Sequence, residues 1–289
     1  MESLPSSSPQ ISENRLRSLI QLLSDPDPRI AKTIHTRLVE VGITAIPHLT
    51  QAQTSQPALA DRITQVIHEI HHHFNEARFR KLSASPSGNL DLEEGAFLIA
   101  EMGYPGLDME GYQGQLLEMS SALANRLTDS MSTRDKIKTV NHYLFKEQGF
   151  KGNANDYYDP DNTFLNRVLD RRCGIPISLS VMYLLLGKRL GLPVRGVGMP
   201  GHFLVGLETE ELFIDCFNGG MLLSQVECSR ILRESGHGFE PHYLDTSSNQ
   251  QILLRMLRNL VSIYQGRDEV NYAQRCQKII EILEGFRTK

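Results

Sequence analysis

Three residues in the second half of the chain have the types and the order of a cysteine nucleophile, its base and the acid that orients the base. Cys173 precedes a strongly apolar segment, His202 opens an alternating segment, and Asp215 lies in the next one. A thiol nucleophile needs a base that takes its proton and a third group that holds this base in one tautomer. A helix amino terminus nearby also favours the thiolate. Cys173, His202 and Asp215 therefore form a candidate catalytic triad.

Whether the histidine can reach the aspartate depends on the hairpin that carries them. Alternating apolar residues predict strands over 202–208 and 212–217, joined by a turn at Thr209-Glu210. A two-residue turn puts His202 and Asp215 on one face as diagonal neighbours, about 7 to 8 Å apart at the backbone. A three-residue turn puts them on opposite faces. The pair thus depends on the length of the turn.

A buried helix is predicted just before this hairpin. From residue 177 to 190 almost every side chain is apolar, and a helix that is apolar on all sides belongs in a core. Pro176 suits its first turn and Gly191 its end. Another short strand is predicted over 194–199. We therefore expect the histidine and the aspartate to converge over the start of an interior helix.

Charge and cysteine usage restrict the class of protein. With 30 Lys and Arg against 34 Asp and Glu, and a net charge of −4, the chain offers no electrostatic reason to bind nucleic acid or an anionic membrane. Its four cysteines form no CxxC pair, which favours reduced thiols in the cytoplasm. No segment has the apolar length of a membrane span. We expect a cytoplasmic globular protein, and its oligomeric state is left open.

One segment fits the pattern of a zinc site. His68-Glu69-Ile70-His71-His72 matches H-E-x-x-H, in which two histidines bind zinc and the glutamate acts as a base. The same helix carries an apolar stripe formed by Ile63, Ile67, Ile70 and Phe74. This stripe directs His68 and His72 to the opposite, solvent-facing side. Since no third ligand is recognisable, we expect no zinc site.

The loop over 149–163 is acidic and contains Tyr157 and Tyr158. Its carboxylates lack the spacing of an EF-hand, and residues 159–162 indicate a turn that leads into a helix. Loops of this length inside a domain are usually functional or disordered. We expect no metal and no cofactor here, and the sequence leaves open whether the loop is a lid.

Helix pairs are predicted at both ends of the chain. Residues 13–80 follow a disordered tail over 1–12 and are similar to a HEAT repeat, with an ordinary helical hairpin as the alternative. Residues 81–89 indicate a linker. Residues 246–289 form a second pair that resembles a tetratricopeptide-type hairpin. Because such repeat surfaces usually serve recognition, we expect a protein partner.

A long set of short motifs runs in order through residues 156–220. They are Asp156-Tyr157-Tyr158-Asp159-Pro160, Asn162 to Asn166, Val168-Leu169, Arg171-Arg172, Gly174-Ile175-Pro176-Ile177-Ser178-Leu179, Arg189-Leu190-Gly191-Leu192-Pro193, Pro200-Gly201-His202-Phe203-Leu204 and Asp215-Cys216-Phe217-Asn218-Gly219-Gly220. With these motifs, residues 90–245 resemble the SirB-one family, which combines a transglutaminase-like core with tetratricopeptide-type helices.

The resemblance implies an α+β fold with a papain-like core. In such a core a buried cysteine helix packs on a small antiparallel sheet that carries the histidine and the aspartate, and helical repeats flank the core here. In active transglutaminase-like enzymes the thiolate attacks a carboxamide or peptide carbonyl, and an amine or water resolves the thioester. The resemblance therefore implies acyl chemistry wherever the nucleophile is present.

This chain departs from the pattern at the nucleophile. His202 and Asp215 match the family's positions, but the cysteine position falls near Pro176, three residues after Cys173. Cys173 lies before the helix, several ångströms from the usual attack point. We expect a non-catalytic or weakly catalytic derivative that acts in protein-protein interaction or regulation. The alternative is an active cysteine amidase, peptidase or acyltransferase that uses Cys173, His202 and Asp215. Cys216, next to the aspartate in the strand, faces the other side and is expected in the core.

Overall fold

The computed structural model describes residues 11–84 and 90–285, which belong to two compact units divided between Arg78 and Phe79. Residues 1–10 of the predicted tail, residues 85–89 of the predicted linker and the last four residues lie outside the described ranges. Within these ranges, no helix combines the length and the apolarity needed to cross a membrane.

The first unit is built from helices. They are α1 (Glu13–Leu22), α2 (Pro28–Val41), α3 (Ile46–Ser55) and α4 (Ala60–Ser83), the last of which ends in the second unit. Asp27 caps α2 by accepting a hydrogen bond from the N–H of Arg29 at 2.8 Å, and Gly42 ends it at φ +73°. Leu38 and Leu49 are fully buried between the helices.

The second unit contains further helices around one central helix. They are α5 (Leu92–Gly103), α6 (Met109–Ala124), α7 (Thr133–His142), α8 (Leu165–Arg171), α9 (Pro176–Arg189), α10 (Gln225–Glu234), α11 (Asn249–Gly266) and α12 (Val270–Leu283). Every residue of α9 from Pro176 to Gly187 is buried, so the predicted interior helix is confirmed. The helices α11 and α12 pack on each other, and α11 also contacts α5 and α9.

The strands of this unit are short. They are β1 (Lys151–Gly152), β2 (Cys173–Gly174), β3 (Val194–Val197), β4 (Leu204–Leu207), β5 (Leu212–Asp215), β6 (Met221–Ser224) and β7 (Thr246–Ser247). β1 and β2 pair in parallel, and the others form an antiparallel sheet in the order β6-β5-β4-β3-β7. Since α9 packs against β3 and β4, the chain has an α+β fold: a small antiparallel sheet on a buried helix, with helical flanks.

The hairpin of β4 and β5 has the register that a two-residue turn requires. Val205 pairs with Ile214 and Gly206 with Phe213, which is the parity that puts His202 and Asp215 on one face. β4 ends at Leu207 and β5 begins at Leu212, so four residues join the strands instead of two. The strands are shorter than the sequence predicts. In particular, His202 lies in the turn before β4 and not inside the strand. Its N–H donates to the carbonyl oxygen of Met199 within that turn and is therefore not available for strand pairing.

Candidate functional site

His202 and Asp215 form a hydrogen-bonded pair at the end of the hairpin. His202 Nε2 lies 2.9 Å from Asp215 Oδ2, and the two side chains are 14% and 2% exposed. Asn218 Nδ2 donates to Oδ2 at 2.8 Å, and the backbone N–H groups of Phe217 and Asn218 donate to Oδ1 at 3.1 Å each. Hydrogen bonds therefore hold both oxygens of the buried carboxylate.

These contacts decide the charge of Asp215 and the tautomer of His202. Burial raises the pKa of Asp215, but the hydrogen bond and charge of His202 and the hydrogen bonds of Asn218 outweigh burial, and the net pKa lies below its ordinary value. An ionised carboxylate only accepts hydrogen bonds, so Nε2 of His202 carries the proton. In neutral His202, Nδ1 is then the nitrogen that can accept a proton from a neighbouring group.

A tight turn holds the backbone of His202. Its N–H donates to the carbonyl oxygen of Met199 at 3.2 Å. Pro200 follows Met199, and Gly201 adopts φ +71°, the combination that favours a type II turn. Arg255 from α11 donates Nη2 to the carbonyl oxygens of both Met199 and His202 at 2.8 Å. The turn and the arginine together fix the position of the imidazole.

The start of α9 approaches this turn. Ser180 Oγ lies 3.5 Å from the carbonyl oxygen of Phe203, the residue after His202. Pro176 is the first residue of α9 and lies one helical turn before Ser180, about 6 Å away, because residues four apart in a helix are neighbours. We therefore expect Pro176 on the side of the helix start that approaches the His202 turn, and its side chain has only carbon atoms.

Cys173 lies on the two-residue strand β2, before that helix start. It pairs with Lys151 of β1. A Cβ on the next residue, Gly174, would lie 2.7 Å from Ser178 Oγ in α9. Because successive side chains of a strand point to opposite faces, we expect the Cys173 side chain to point away from α9. It is half-buried and free of disulfides, and within the described residues no hydrogen bond joins it to His202.

The remaining thiols belong to the core. Cys216 is fully buried, as the strand alternation predicts. Burial raises its pKa far above the ordinary value, although a hydrogen bond from Ser180 opposes this. Burial also raises the pKa of Cys228 and of Cys276 to about 12. Such thiols stay protonated and unreactive at neutral pH.

The H-E-x-x-H segment does not form a metal site in the described part of the chain. His68 is exposed, but His72 is half-buried and pairs with Glu76 at 3.0 Å, so its predicted solvent-facing position is wrong. Phe74 is 43% exposed, which corrects the predicted stripe. The buried series of α4 instead runs through Ile63, Val66 and Ile70. Over residues 11–84 and 90–285, no group of three or more His, Cys, Asp or Glu is placed to hold a metal ion.

Arginines of α8 pair with the acidic loop over 149–163. Arg171 Nη1 lies 2.6 Å from Asp159 Oδ2, and Arg167 Nε lies 3.1 Å from Asp161 Oδ2. Arg171 Nη1 also lies 3.3 Å from Asp161 Oδ2. The two carboxylates therefore converge on one guanidinium, in ion pairs that hold the loop against α8.

Several side chains around His202 carry no role in the sequence-based prediction. The Phe217 ring lies 6.4 Å from the His202 ring and 6.0 Å from the Tyr157 ring. Asn218 has a local signal, since an aspartate that accepts N–H groups two and three residues later forms an Asx turn. Arg255 has none, because it comes from a helix far along the chain.

Comparison with known proteins places the chain among relatives. A model of the transglutaminase-like superfamily matches residues 110–258. A UPF0162 protein of Xylella fastidiosa (strain Temecula1) is 37% identical over 206 residues, which cover 68% of this chain and 73% of that protein. A UPF0162 protein of Vibrio cholerae is 27% identical over 192 residues, 65% of this chain and 71% of that protein. F-box only protein 21 of Homo sapiens is 34% identical over 137 residues, 44% of this chain and 21% of that protein.

No solved structure gives a significant match. The superfamily model covers more than half of the chain, and the segment it covers contains His202, Asp215 and Arg255. Together with the relative from Xylella fastidiosa, this match shows that the chain belongs to the transglutaminase-like superfamily.

Proposed function

We propose that this protein is a non-catalytic or weakly catalytic transglutaminase-like protein in which the retained histidine and aspartate serve binding. The observation that carries this proposal is the buried Pro176 at the first position of α9, one helical turn before Ser180, whose hydroxyl approaches the carbonyl oxygen of Phe203. The alternation of side chains along β2 directs Cys173 away from that helix. A base without a thiol in reach cannot start covalent acyl transfer. The His202–Asp215 pair is then available for holding the hairpin end and for contacting a bound group.

We further propose that the partner is another protein, bound in part by the helical flanks. In this proposal the chain is a SirB-one family member, its first unit is HEAT-like, and α11 and α12 form a tetratricopeptide-like pair. Stacked helix pairs of these kinds present continuous surfaces for recognition. Val270 and Tyr272 of α12 are 57% and 42% exposed, which gives this pair apolar contact area on its outer side.

A thiol-reactive probe tests the catalytic part of the proposal. Wild type and His202→Ala are labelled at near-neutral pH, and Cys173→Ser identifies the labelled thiol. We expect the same labelling of Cys173 in wild type and His202→Ala, since no hydrogen bond joins that thiol to the imidazole. Labelling that collapses in His202→Ala would contradict the proposal and favour an enzyme.

Affinity capture tests the binding part. The intact chain is compared with a chain that lacks residues 1–78, a cut that keeps Phe79 and Leu82 in the core of the second unit. We expect the deletion to weaken capture of the partner that the intact chain retains. In addition, His202→Ala is expected to lower partner affinity measured well below the melting temperature, which itself falls because Asp215 loses a buried hydrogen bond. If His202→Ala lowers the melting temperature and leaves affinity unchanged, the pair is structural only.

An active cysteine amidase, peptidase or acyltransferase is the second candidate. One observation favours it: Cys173 is half-buried and forms no disulfide, so a free thiol is present just before the start of α9. Catalysis would require residues 173–175 to move so that the sulfur meets His202. Amide hydrolysis or acyl transfer that is lost in both Cys173→Ser and His202→Ala would establish this function.

A further inference from the structure

Arg255 of α11 reaches the His202 turn and is fixed there. Its Nη2 donates to the carbonyl oxygens of Met199 and His202, both at 2.8 Å. Its guanidinium carbon lies 5.6 Å from the centre of the Phe203 ring. A Cβ on Gly198 would lie 3.3 Å from Arg255 Nη1, so a glycine at that position leaves room for the guanidinium. The charge therefore occupies a defined place beside the candidate site.

No carboxylate neutralises this guanidinium in the part of the chain that the structure describes. Over residues 11–84 and 90–285, no Asp or Glu oxygen forms an ion pair with it within 4.0 Å. On the same helix, Arg258 pairs with Glu284 at 2.7 Å. Burial lowers the pKa of Arg255, and the opposing effect of Tyr157 does not cancel this. Charges withdrawn from water are ordinarily paired, so this position favours an anion.

The guanidinium belongs to the same cluster as the histidine. Tyr157 lies close enough to Arg255 for their charges to interact, and its ring is 6.0 Å from the ring of Phe217. Phe217 in turn lies edge-on to His202 at 6.4 Å. Arg255 also donates to the backbone carbonyl oxygen of His202, so the four residues form one cluster. A group bound to the arginine therefore lies near the phenol and beside the turn that carries the imidazole.

The guanidinium also has N–H donors that form no hydrogen bond within the described residues. It has five N–H donors, and the two bonds to carbonyl oxygens start from Nη2. Among the described residues, no hydrogen bond of Arg255 starts from Nε or Nη1. Arginine binds carboxylates and phosphates through such donors.

The charges of the cluster select between these two anions. Arg255 carries one positive charge and the ionised Asp215 one negative charge, while His202 contributes a further positive charge only when it is protonated. A singly charged carboxylate suits this balance, whereas a phosphate dianion adds repulsion with Asp215.

We propose that Arg255 binds a carboxylate of the partner protein beside His202, so that an acidic side chain or a chain terminus is the feature this site recognises. The proposal rests on the function proposed above, in which the site binds rather than catalyses. It assigns the selection of the ligand to Arg255 of α11.

Titration of the full chain with small carboxylates tests the proposal. N-acetylglycine represents a chain terminus, and the α-amide of N-acetylaspartate represents an acidic side chain. The controls are N-acetylglycinamide, which is neutral, and sodium chloride at equal ionic strength. We expect the NMR signal of the His202 ring, assigned by its loss in His202→Gln, to shift saturably with at least one carboxylate and with neither control. The tighter of the two carboxylates identifies the source. No saturable shift, or an equal shift with chloride, overturns the proposal.

Two variants on α11 separate the site from general charge effects. Arg255→Gln is expected to weaken carboxylate binding at least about tenfold, as loss of a charge-assisted hydrogen bond predicts. Arg258→Gln removes an equal charge from the same helix at an exposed position and is expected to bind like wild type. Equal binding by wild type and Arg255→Gln overturns the proposal.

A third variant keeps the test valid if Arg255→Gln loses the native spectrum. Tyr157→Phe removes the hydroxyl near the guanidinium and leaves the contacts of Arg255 with the turn in place, and it is expected to bind severalfold more weakly; unchanged binding then decides against the site. Failure here differs from failure of the proposed function, which is read from the dependence of Cys173 labelling on His202.

Discussion

Asp215 holds His202 through a 2.9 Å hydrogen bond between Oδ2 and Nε2. Because the buried carboxylate accepts this bond, the imidazole keeps its Nδ1 nitrogen as the proton acceptor. In the function proposed above, this pair represents two of the three parts of a thiol-based site. The proposal places the third part at the start of α9, where the first residue is Pro176.

Asp215→Asn is expected to destabilise the protein by about 1.5 to 3 kcal/mol at neutral pH, since it removes a charged acceptor of buried hydrogen bonds. Urea unfolding measures this change in the free energy of unfolding. Asp245→Asn, at an exposed aspartate, is the control and is expected to stay within about 0.5 kcal/mol of wild type. Equal losses of unfolding free energy in the two variants would show that the buried hydrogen bonds of Asp215 do not stabilise the protein.

The stability that Asp215 contributes is expected to disappear in acid. Its pKa in the folded protein lies below the ordinary value of 3.8, so the unfolded chain takes up the proton first as the pH falls. The contribution is therefore fully present above the unfolded pKa and is lost as the pH falls through the folded pKa. We expect the difference in unfolding free energy between wild type and Asp215→Asn to be constant above about pH 5 and to shrink below the unfolded pKa. If the difference in unfolding free energy increases as the pH falls below the unfolded pKa, the prediction is contradicted.

Pro176→Cys is expected to restore a thiol that His202 can deprotonate. In a Cys173→Ser background, the thiolate of the introduced cysteine is measured by its ultraviolet absorbance, since position 176 is buried and this readout needs no reagent to enter. We expect thiolate at near-neutral pH because the helix start approaches the His202 turn. Adding His202→Ala should lower the thiolate fraction at least about tenfold, as loss of the base predicts. Indifference to His202 would mean that the helix start and the imidazole are too far apart.

Thiol titration of the folded protein is expected to detect Cys173 and leave the buried cysteines unreacted. Cys216, Cys228 and Cys276 are buried, whereas Cys173 is half-buried. Ellman's reagent should therefore modify one thiol per chain in native buffer and all four after denaturation. Cys173→Ser should remove the native reaction, and residual fast labelling in that variant would place a supposed core thiol at the surface.

Gly201→Ala is expected to disturb the turn that carries His202. The φ of Gly201 is +71°, and an alanine in that region costs about 1 to 2 kcal/mol. The His202 ring signal should shift as the turn adjusts. Gly114→Ala is the matched control: this glycine lies inside α6, and a Cβ added to it would meet no atom within 4 Å. Its replacement should therefore stabilise the chain by about 0.5 to 1 kcal/mol. Equal changes in stability in the two variants would show that the positive φ at residue 201 does not require a glycine.

The parts of the site that obey local rules could be predicted from the sequence. Hairpin pairing follows from turn length and alternation, so a register argument can predict that His202 and Asp215 meet. The interior position of α9 follows from a helix that is apolar on every side. Both features depend on residues close together in the chain.

The parts that depend on tertiary packing could not be predicted. Arg255 reaches the His202 turn from a helix that follows the sheet, and nothing in its neighbouring residues indicates that contact. The strand ends differ from the prediction as well, since the turn at Gly201 competes with strand extension. Phe74 fits an ideal helical stripe but is exposed, because burial depends on which neighbours a helix has and not on its period alone.

The pH dependence of the alkylation rate of Cys173 shows whether this thiol and His202 act as a catalytic pair. The rate is measured from about pH 5 to 10 in wild type and in His202→Ala, with the modified residue identified by mass spectrometry. We expect superimposable profiles, because the thiol and the imidazole are not paired. A faster wild-type reaction near neutral pH that disappears in His202→Ala would contradict this expectation and would show a working cysteine–histidine pair.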